Sequence, residues 1–267
     1  MVTPDPRTVL GKALTVLFAF TEQDHELSLA ELGRRTGLAK GTLHRVAGDL
    51  VEAGLLARVP SGYQLGGKLF ELGMRVPAER RLIEVATPFM EDLYERTHET
   101  VHLAVLDGTE VVYVSKIAGH QPFIAPSRVG GRMPVHCTAL GKAMLAFAPP
   151  RQRDHALRDL VLAGGRSRRT PRTIVAPGIL ERQLLDVREQ GVAYEYEESV
   201  AGIGCVAAPV LDPSGQPIAA ISVTGGLSRF RPQSHAAAVK TAADGIRAIL
   251  AVPAFQPPAF QSLERHP

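Results

Sequence analysis

Residues 28–54 read SLAELGRRTGLAKGTLHRVAGDLVEAG, and this stretch predicts two helices joined by a tight turn. Ser28 and Glu31 have the spacing of a capping box, in which each side chain bonds the other residue's backbone amide at the start of a helix. That helix is expected to end near Thr36, because Gly37 suits the left-handed conformation that follows a helix. The next helical pattern begins almost at once.

This second helix is expected over Lys40 to Ala53, and a β-hairpin follows it. Its apolar face consists of Leu43, Val46, Ala47 and Leu50. Two short β-compatible segments, 55–59 and 63–65, then flank the turn residues Pro60-Ser61-Gly62. Two helices around a tight turn, followed by a hairpin, are the elements of a winged helix-turn-helix, in which the second helix reads DNA.

The opposite face of the second helix carries small and polar residues and suits a DNA groove. Arg45 is the best candidate for a guanine contact, because its guanidinium fork matches O6 and N7. Lys40 and Thr42 lie near the helix N-terminus, where phosphates and base edges are reached. The expected DNA contacts are Arg34, Lys40, Gly41, Thr42, His44, Arg45, Arg58 and Tyr63. Two alternatives stay open: the solvated face of a three-helix bundle, and a winged helix that binds a protein.

The composition is that of a globular protein without a disulfide framework. The chain has 267 residues, of which 45% are hydrophobic and 21% charged, enough for one large domain or two ordinary ones. A net charge of +3 is compatible with nucleic-acid binding. Two cysteines are too few for a disulfide framework, and neither a signal-peptide pattern nor an apolar run of membrane-spanning length occurs. We therefore expect a cytoplasmic protein with no membrane partner.

The rest of the chain is expected to form a linker helix and then a mixed domain. The linker pattern is amphipathic, and Pro88 is expected to kink it or break it in two. Further on, strand-like runs mix with helices, Asp107-Gly108 suits a hairpin turn, and short turns between successive strands favour an antiparallel sheet covered by helices. The predicted α+β organisation is a winged helix-turn-helix over 1–76, a linker helix over 77–98, a second domain over 99–252 and a disordered tail over 253–267.

A series of short motifs resembles the IclR family of transcription regulators in order and spacing. The motifs are GYQLG at 62–66, ETVHLAVLDG at 99–108, VGGRMPVHCTALGK at 129–142, Glu197-Glu198, GIGCVAAPV at 202–210 and AAISVTG at 219–225. The resemblance implies a winged helix-turn-helix, a linker helix and a GAF-like effector-binding domain. It also implies homodimers, often paired into homotetramers, that repress or activate transcription from palindromic operator DNA. One departure lies at Ala39 and Gly41, where family members often have Ser or Thr, so the recognition helix is expected to start without a side-chain cap.

The resemblance further implies a pocket for a small-molecule effector. In the family, the residues that touch the effector or line its pocket match Ala139, Leu140, Glu195, Cys205, Ser222 and Thr224, and His136 is expected beside them. From the residues alone, Thr138 can cap a helix whose N-terminal amides suit a carboxylate, and two hydroxyls two residues apart share one face of a strand. We therefore expect a small organic or aromatic acid as effector. Ordinary core roles for the hydroxyls and for Cys205 are the alternative.

Metal-binding and catalytic interpretations have weaker support. A metal sensor could use the two cysteines with nearby histidines, namely His98, His102, His136, Cys137 and Cys205, but the sequence contains no CxxC pair. Nucleophile-elbow, P-loop and dinucleotide-binding motifs do not occur. We therefore expect a DNA-binding transcription regulator controlled by a small molecule, with no enzymatic activity, no cofactor and no bound metal. A small-molecule sensor whose helical domain engages a protein is the competing hypothesis.

Overall fold

A computed structural model describes Asp5 and residues 7–21, 23–120 and 127–252. The tail expected over 253–267 lies outside these described residues. The chain divides into two compact units, with the boundary between Val76 and Pro77. In the described ranges no helix combines the length and apolar character needed to cross a membrane.

The first unit is a winged helix-turn-helix. Its elements are α1 (Val9–Phe18), α2 (Leu29–Thr36), α3 (Lys40–Glu52), β1 (Leu56–Val59), β2 (Gly62–Leu65) and α4 (Gly67–Gly73). The Ser28 hydroxyl accepts the Glu31 amide at 3.1 Å, and Gly37 is left-handed with a φ of 67°. The Ser28 cap and the glycine therefore act as predicted, whereas the Glu31 carboxylate binds Arg34 and Arg35 instead of the Ser28 amide. The winged helix-turn-helix is confirmed.

The inner face of α3 and the hairpin build one small core in this unit. The buried residues are Val16, Leu27, Leu32, Leu43, Val46, Ala47, Leu50, Leu56 and Tyr63. Leu27 exchanges two backbone hydrogen bonds with Tyr63, of 2.8 and 2.9 Å, which ties the segment before α2 to the wing. Gly62 permits this approach, because a Cβ there would lie 2.2 Å from the Leu27 carbonyl oxygen.

The second unit is a helix-covered sheet. Its elements are α5 (Pro77–Thr97), β3 (Thr100–Asp107), β4 (Glu110–Ile117), β5 (Arg132–Pro134), α6 (Ala139–Phe147), α7 (Pro150–Ala163), α8 (Pro177–Gln190), β6 (Ala193–Tyr196), β7 (Ile203–Leu211), β8 (Pro217–Gly226) and α9 (Ala236–Leu250). The sheet order is β5-β4-β3-β8-β7-β6, and every pairing is antiparallel. The predicted antiparallel sheet in an α+β fold is confirmed.

Alternate residues of the central strands enter two separate cores. Val206 and Val223 face α5 and α9, whereas Cys205 and Ala207 face α6 and α8. Because side chains alternate along a strand, His102 and Thr224 lie on the α6 side of the sheet. This side carries the polar residues of interest.

Helix α5 runs through Pro88 as a single helix, so of the two expected outcomes, a kink or a break in two, the break does not occur. Pro88 lies at an exposed position, while Leu82 and Ala86 before it and Met90 after it are fully buried against the sheet. Packing on both sides of the proline outweighs the loss of one backbone hydrogen bond.

Candidate nucleic-acid interface and ligand cavity

The solvent side of α3 presents exposed and unpaired groups. We call this surface the α3 outer face and define it by Lys40, Gly41, His44, Arg45 and Gly48, all of which are exposed. In the part of the chain described, the side chains of Lys40, His44 and Arg45 make no hydrogen bond or ion pair. A Cβ added at either glycine would meet no atom within 4 Å, so the surface beside Arg45 is low and open. Such a surface can approach a groove closely while its charged groups stay available.

The N-terminus of α3 adds free backbone donors to this face. Ala39 occupies the cap position and makes no side-chain hydrogen bond to the helix, as its residue type predicts. The first amides of a helix have no acceptor within it, and the positive end of the helix dipole favours a phosphate. Thr42, which is half-buried, lies in this first turn.

The other expected DNA contacts occupy different settings. Arg34 is exposed, but its guanidinium is held by Glu31 through bonds of 2.8 and 2.6 Å. Arg58 is exposed on the wing and lies over the Tyr63 ring, 5.6 Å from its centroid. Tyr63, which was expected to contact DNA, is only 4% exposed and packs in the core, because β2 turns it inward beneath Arg58. Tyr63 therefore supports the wing from within.

A cavity of about 30 Å³ lies between the central strands and the start of α6, and we call it the sheet cavity. Such a volume holds about two water molecules. The residues that line it are His102, Tyr113, Ser127, Met133, Thr138, Ala139, Leu140, Glu195, Ser199, Val200, Ile203, Cys205 and Thr224. Of the expected effector contacts, Ala139, Leu140, Glu195, Cys205 and Thr224 are brought together here.

The N-terminus of α6 forms one wall of the sheet cavity. The Thr138 hydroxyl accepts a hydrogen bond from the Gly141 amide at 3.1 Å. The amides of Ala139 and Leu140 lie in the first turn of α6 and have no acceptor within the helix. Gly141 allows this tight start, since a Cβ there would lie 2.4 Å from the Val135 backbone. The cavity wall therefore carries a positive helix end.

A chain of neutral polar groups forms the opposite wall. His102 Nε2 lies 2.7 Å from Ser127 Oγ, His102 Nδ1 lies 3.4 Å from Thr224 Oγ1, and the Thr224 hydroxyl donates to Cys205 Sγ at 3.1 Å. Burial lowers the pKa of His102 to about 3 and raises the pKa of Cys205 to about 12. The imidazole and the thiol are therefore both uncharged at neutral pH. This wall offers hydrogen bonds without a net charge.

Glu195 is the acidic residue of the sheet cavity. Its Oε1 accepts the amides of Glu198 and Ser199, at 2.9 and 3.0 Å, and the Ser199 hydroxyl at 3.1 Å. Burial nevertheless raises the pKa of Glu195 to about 7, because desolvation outweighs these hydrogen bonds. Protonated and ionised forms of Glu195 therefore coexist near neutral pH.

Two of the expected effector contacts lie outside the sheet cavity. Ser222 is fully buried on the same side as Thr224, and its hydroxyl has no hydrogen-bond partner among the described residues. His136 Nε2 lies 3.3 Å from the Ser167 carbonyl oxygen, and His136 does not line the cavity. Neither residue is therefore among those that line the cavity.

The sequence interpretation missed Ser127 and considered His102 only as a possible metal ligand, although both residues belong to the polar wall. His102 alternates with apolar residues along β3 and pairs directly with Ser222 of β8. A histidine on the inner face of a predicted strand is therefore the sequence feature that could have indicated His102 as a cavity residue. Ser127 has no such signal, because only the folded chain brings it to His102.

The two cysteines have no features of a metal or redox site. Both are buried and unpaired, and burial raises the pKa of each thiol to about 12. Within the described ranges no cluster of three or more His, Cys, Asp or Glu residues is placed to hold a metal ion.

Comparison with known proteins identifies the family of both units. Residues 9–60 match the IclR helix-turn-helix domain, and residues 74–248 match the C-terminal domain of the bacterial transcriptional regulator IclR. The HTH-type transcriptional regulators XynR and KdgR of Escherichia coli (strain K12) are similar, with 37% identity over 82% of this chain and 86% of XynR, and 36% identity over 92% of this chain and 93% of KdgR.

A solved structure of an IclR homolog from Microbacterium hydrocarbonoxydans, complexed with 4-hydroxybenzoate, matches with a TM-score of 0.82. The two sequences are 31% identical, and the match covers 91% of this chain and 99% of the homolog's chain. The chain therefore belongs to the IclR family of bacterial transcriptional regulators, with a DNA-binding winged helix-turn-helix and an effector-binding C-terminal domain.

Proposed function

We propose that the α3 outer face enters the major groove of an operator and that the sheet cavity binds a small carboxylic acid that controls this binding. The observation that carries the DNA contact is Arg45, an exposed guanidinium without a partner in the described chain, beside two open glycine positions. Lys40, Gly41, Thr42 and His44 supply the surrounding contacts.

Arg45→Ala tests the DNA contact. We expect specific operator binding to fall by about tenfold to a hundredfold, the loss of one bidentate base contact, with unchanged thermal stability. Arg75→Ala is the matched control, because Arg75 is an exposed arginine of the same unit and is not among the expected DNA contacts. Titration of binding with salt separates DNA from a protein partner, since phosphate contacts give a steep salt dependence. Equal affinity of wild type and Arg45→Ala in a gel shift would contradict the assignment.

The carboxylic-acid effector is supported by the two walls of the sheet cavity. The N-terminal amides of α6 suit a carboxylate, and the His102, Ser127 and Thr224 groups can bond a hydroxyl at the other end of the molecule. The similar IclR homolog with bound 4-hydroxybenzoate carries both groups on one ring. Because 30 Å³ is too small for such a ring, binding requires the cavity walls to move apart.

We also propose that the protein acts in the cytoplasm as a homodimer, or a homotetramer, on a palindromic operator. Exposed apolar side chains support the dimer in the DNA-binding unit. They are Val9, Leu10 and Phe18 of α1, and Phe70 and Leu72 of α4 with Met74 just after it. Exposed apolar patches mark association surfaces, and a two-fold dimer reads two half-sites. Sedimentation with and without operator DNA tests the stoichiometry.

A thermal-shift screen tests the effector class. Small monocarboxylic acids, 4-hydroxybenzoate among them, should raise the unfolding temperature of the wild type in a concentration-dependent way. Thr224→Val should weaken the response, because Thr224 lies on the polar wall. Stabilisation by none of the acids would contradict the proposed effector class.

A further inference from the structure

The sheet cavity contains an acid but no cation. Among its described lining residues no Lys or Arg occurs, whereas Glu195 is present. A carboxylate that enters would therefore meet a partly ionised carboxyl group and a helix end of partial charge only. A full positive charge close by would add to the partial charge of the helix end and would favour an anion more strongly.

Residues 166–173 hold such a charge beside the cavity. Ser167 of this segment contacts His136, which lies just before the α6 wall. Further along, the Thr173 hydroxyl donates to the Glu198 carbonyl oxygen at 2.6 Å, and Glu198 directly precedes the cavity residue Ser199. The segment is thus fixed by hydrogen bonds at two points close in sequence to residues that line the cavity, and Arg169 lies between these two points along the chain.

Arg169 differs from the three other arginines of this segment. The guanidinium of Arg166 bonds the carbonyls of Ala163 and Leu162, that of Arg168 bonds the Pro171 carbonyl, and that of Arg172 pairs with Glu197. The exposed guanidinium of Arg169 makes no hydrogen bond within the described ranges. Its backbone amide is fixed by Thr173 Oγ1 at 3.0 Å, so the residue is held in place while its charge stays available.

The positive charge of Arg169 acts on His136, which precedes the α6 wall. Burial lowers the pKa of His136, and the positive charges of Arg169 and Lys142 lower it further. Two other cations near the cavity are already engaged: Lys142 pairs with Glu198 at 2.7 Å, and Lys116 bonds the Ser127 carbonyl at 2.6 Å.

From this geometry we propose that Arg169 makes the sheet cavity selective for anionic effectors, an inference that rests on the carboxylic-acid effector proposed above. Arg169 does not line the empty cavity. It attracts the carboxylate to the mouth of the cavity and stabilises its charge after entry.

The test compares acids with their neutral amides on Arg169→Gln, with Arg168→Gln as the matched control. Monocarboxylic acids including 4-hydroxybenzoate, and the corresponding amides including 4-hydroxybenzamide, are titrated against the full-length proteins by calorimetry at low salt. We expect Arg169→Gln to weaken binding of the acids about tenfold and to leave binding of the amides within about twofold. Added salt should weaken acid binding to the wild type more than to this variant.

Three other outcomes would overturn the role of Arg169, and one of them would also overturn the acid effector. If acids bind Arg169→Gln and wild type equally, the role of Arg169 is overturned and the acid effector stands. If Arg169→Gln and Arg168→Gln weaken acid binding equally, the effect belongs to the general charge of the segment, and the specific role of Arg169 is likewise overturned. If acids do not bind the wild type, both proposals fail.

Discussion

Lys142 Nζ lies 2.7 Å from Oε1 of Glu198, and the two side chains are only 1% and 7% exposed. Gln183 Oε1 accepts a further hydrogen bond from the same ammonium at 2.9 Å. This buried ion pair joins α6, whose N-terminus lines the sheet cavity, to the turn after β6 that carries Ser199. The pair therefore holds two walls of the cavity together.

Removal of one partner should be costly. We expect Lys142→Met to lower the free energy of unfolding by roughly 3–5 kcal/mol, because the Glu198 carboxylate would be left buried without its cation. Lys68→Met is the control, since the Lys68–Glu71 pair is exposed and such pairs contribute about 1 kcal/mol or less. Urea unfolding of the two variants measures the difference. Equal losses of unfolding free energy in the two variants would show that burial does not increase the cost of removing a partner of the ion pair.

Glu195 predicts a specific dependence of stability on pH. Its pKa is raised from 4.5 to about 7, so the folded protein holds the proton more tightly than the unfolded chain. Stability therefore falls as the pH rises from about 4.5 to about 7 and then levels off, by up to about 3 kcal/mol at 1.36 kcal/mol per pKa unit.

Glu195→Gln should remove this component, because the amide does not titrate and its oxygen can accept the same backbone amides. The difference in unfolding free energy between variant and wild type, measured by urea titration at pH 5 and pH 8, should grow at the higher pH. A difference that is constant with pH would show that Glu195 does not titrate in this range.

A substitution at Gly48 should change the stability of the winged helix and its DNA binding in opposite directions. A Cβ at this position meets open space, so Gly48→Glu should stabilise α3 by about 0.5–1 kcal/mol through helix propensity. The same change should abolish operator binding, because it places a carboxylate opposite the phosphates. Gly48→Ala is the control and should stabilise the helix without adding charge. Operator binding retained by Gly48→Glu would mean that another face of α3 meets the DNA.

Ser222 and Thr224 should behave differently despite their shared strand face. Ser222→Ala removes a buried hydroxyl without a partner in the described residues and should be neutral or stabilising. Thr224→Val removes the bond to Cys205 and should cost about 1 kcal/mol, besides weakening acid binding. Thermal unfolding and calorimetry of the two single variants measure both effects. If Ser222→Ala weakened acid binding and Thr224→Val did not, the ligand would contact Ser222 and not Thr224.

The local parts of the fold followed from local signals. The Ser28 cap, the Gly37 terminus and the apolar face of α3 each depend on residues within one or two helical turns, and all three are present. Helices α4 and α7 and strand β5 were not anticipated. Strand β5 has only three residues, and α7 carries charged residues around most of its surface, which obscures its apolar stripe.

The composition of the sheet cavity was harder to anticipate, because it depends on contacts between distant segments. Ser127 bonds His102 from 25 residues further along the chain, and the backbone of Arg169 is fixed by Thr173. A kink or a break was expected at Pro88, and the break does not occur, because burial of α5 on the sheet is not part of a local rule for proline.

The central pairing of β3 with β8 has a consequence for synthesis of the protein. Thr100 lies opposite Thr224, so the middle of the sheet cannot close until nearly the whole second unit has left the ribosome. The winged helix, with its short-range contacts, is complete long before that. A nascent or prematurely terminated chain can therefore possess a finished DNA reader while it is still unable to respond to any metabolite.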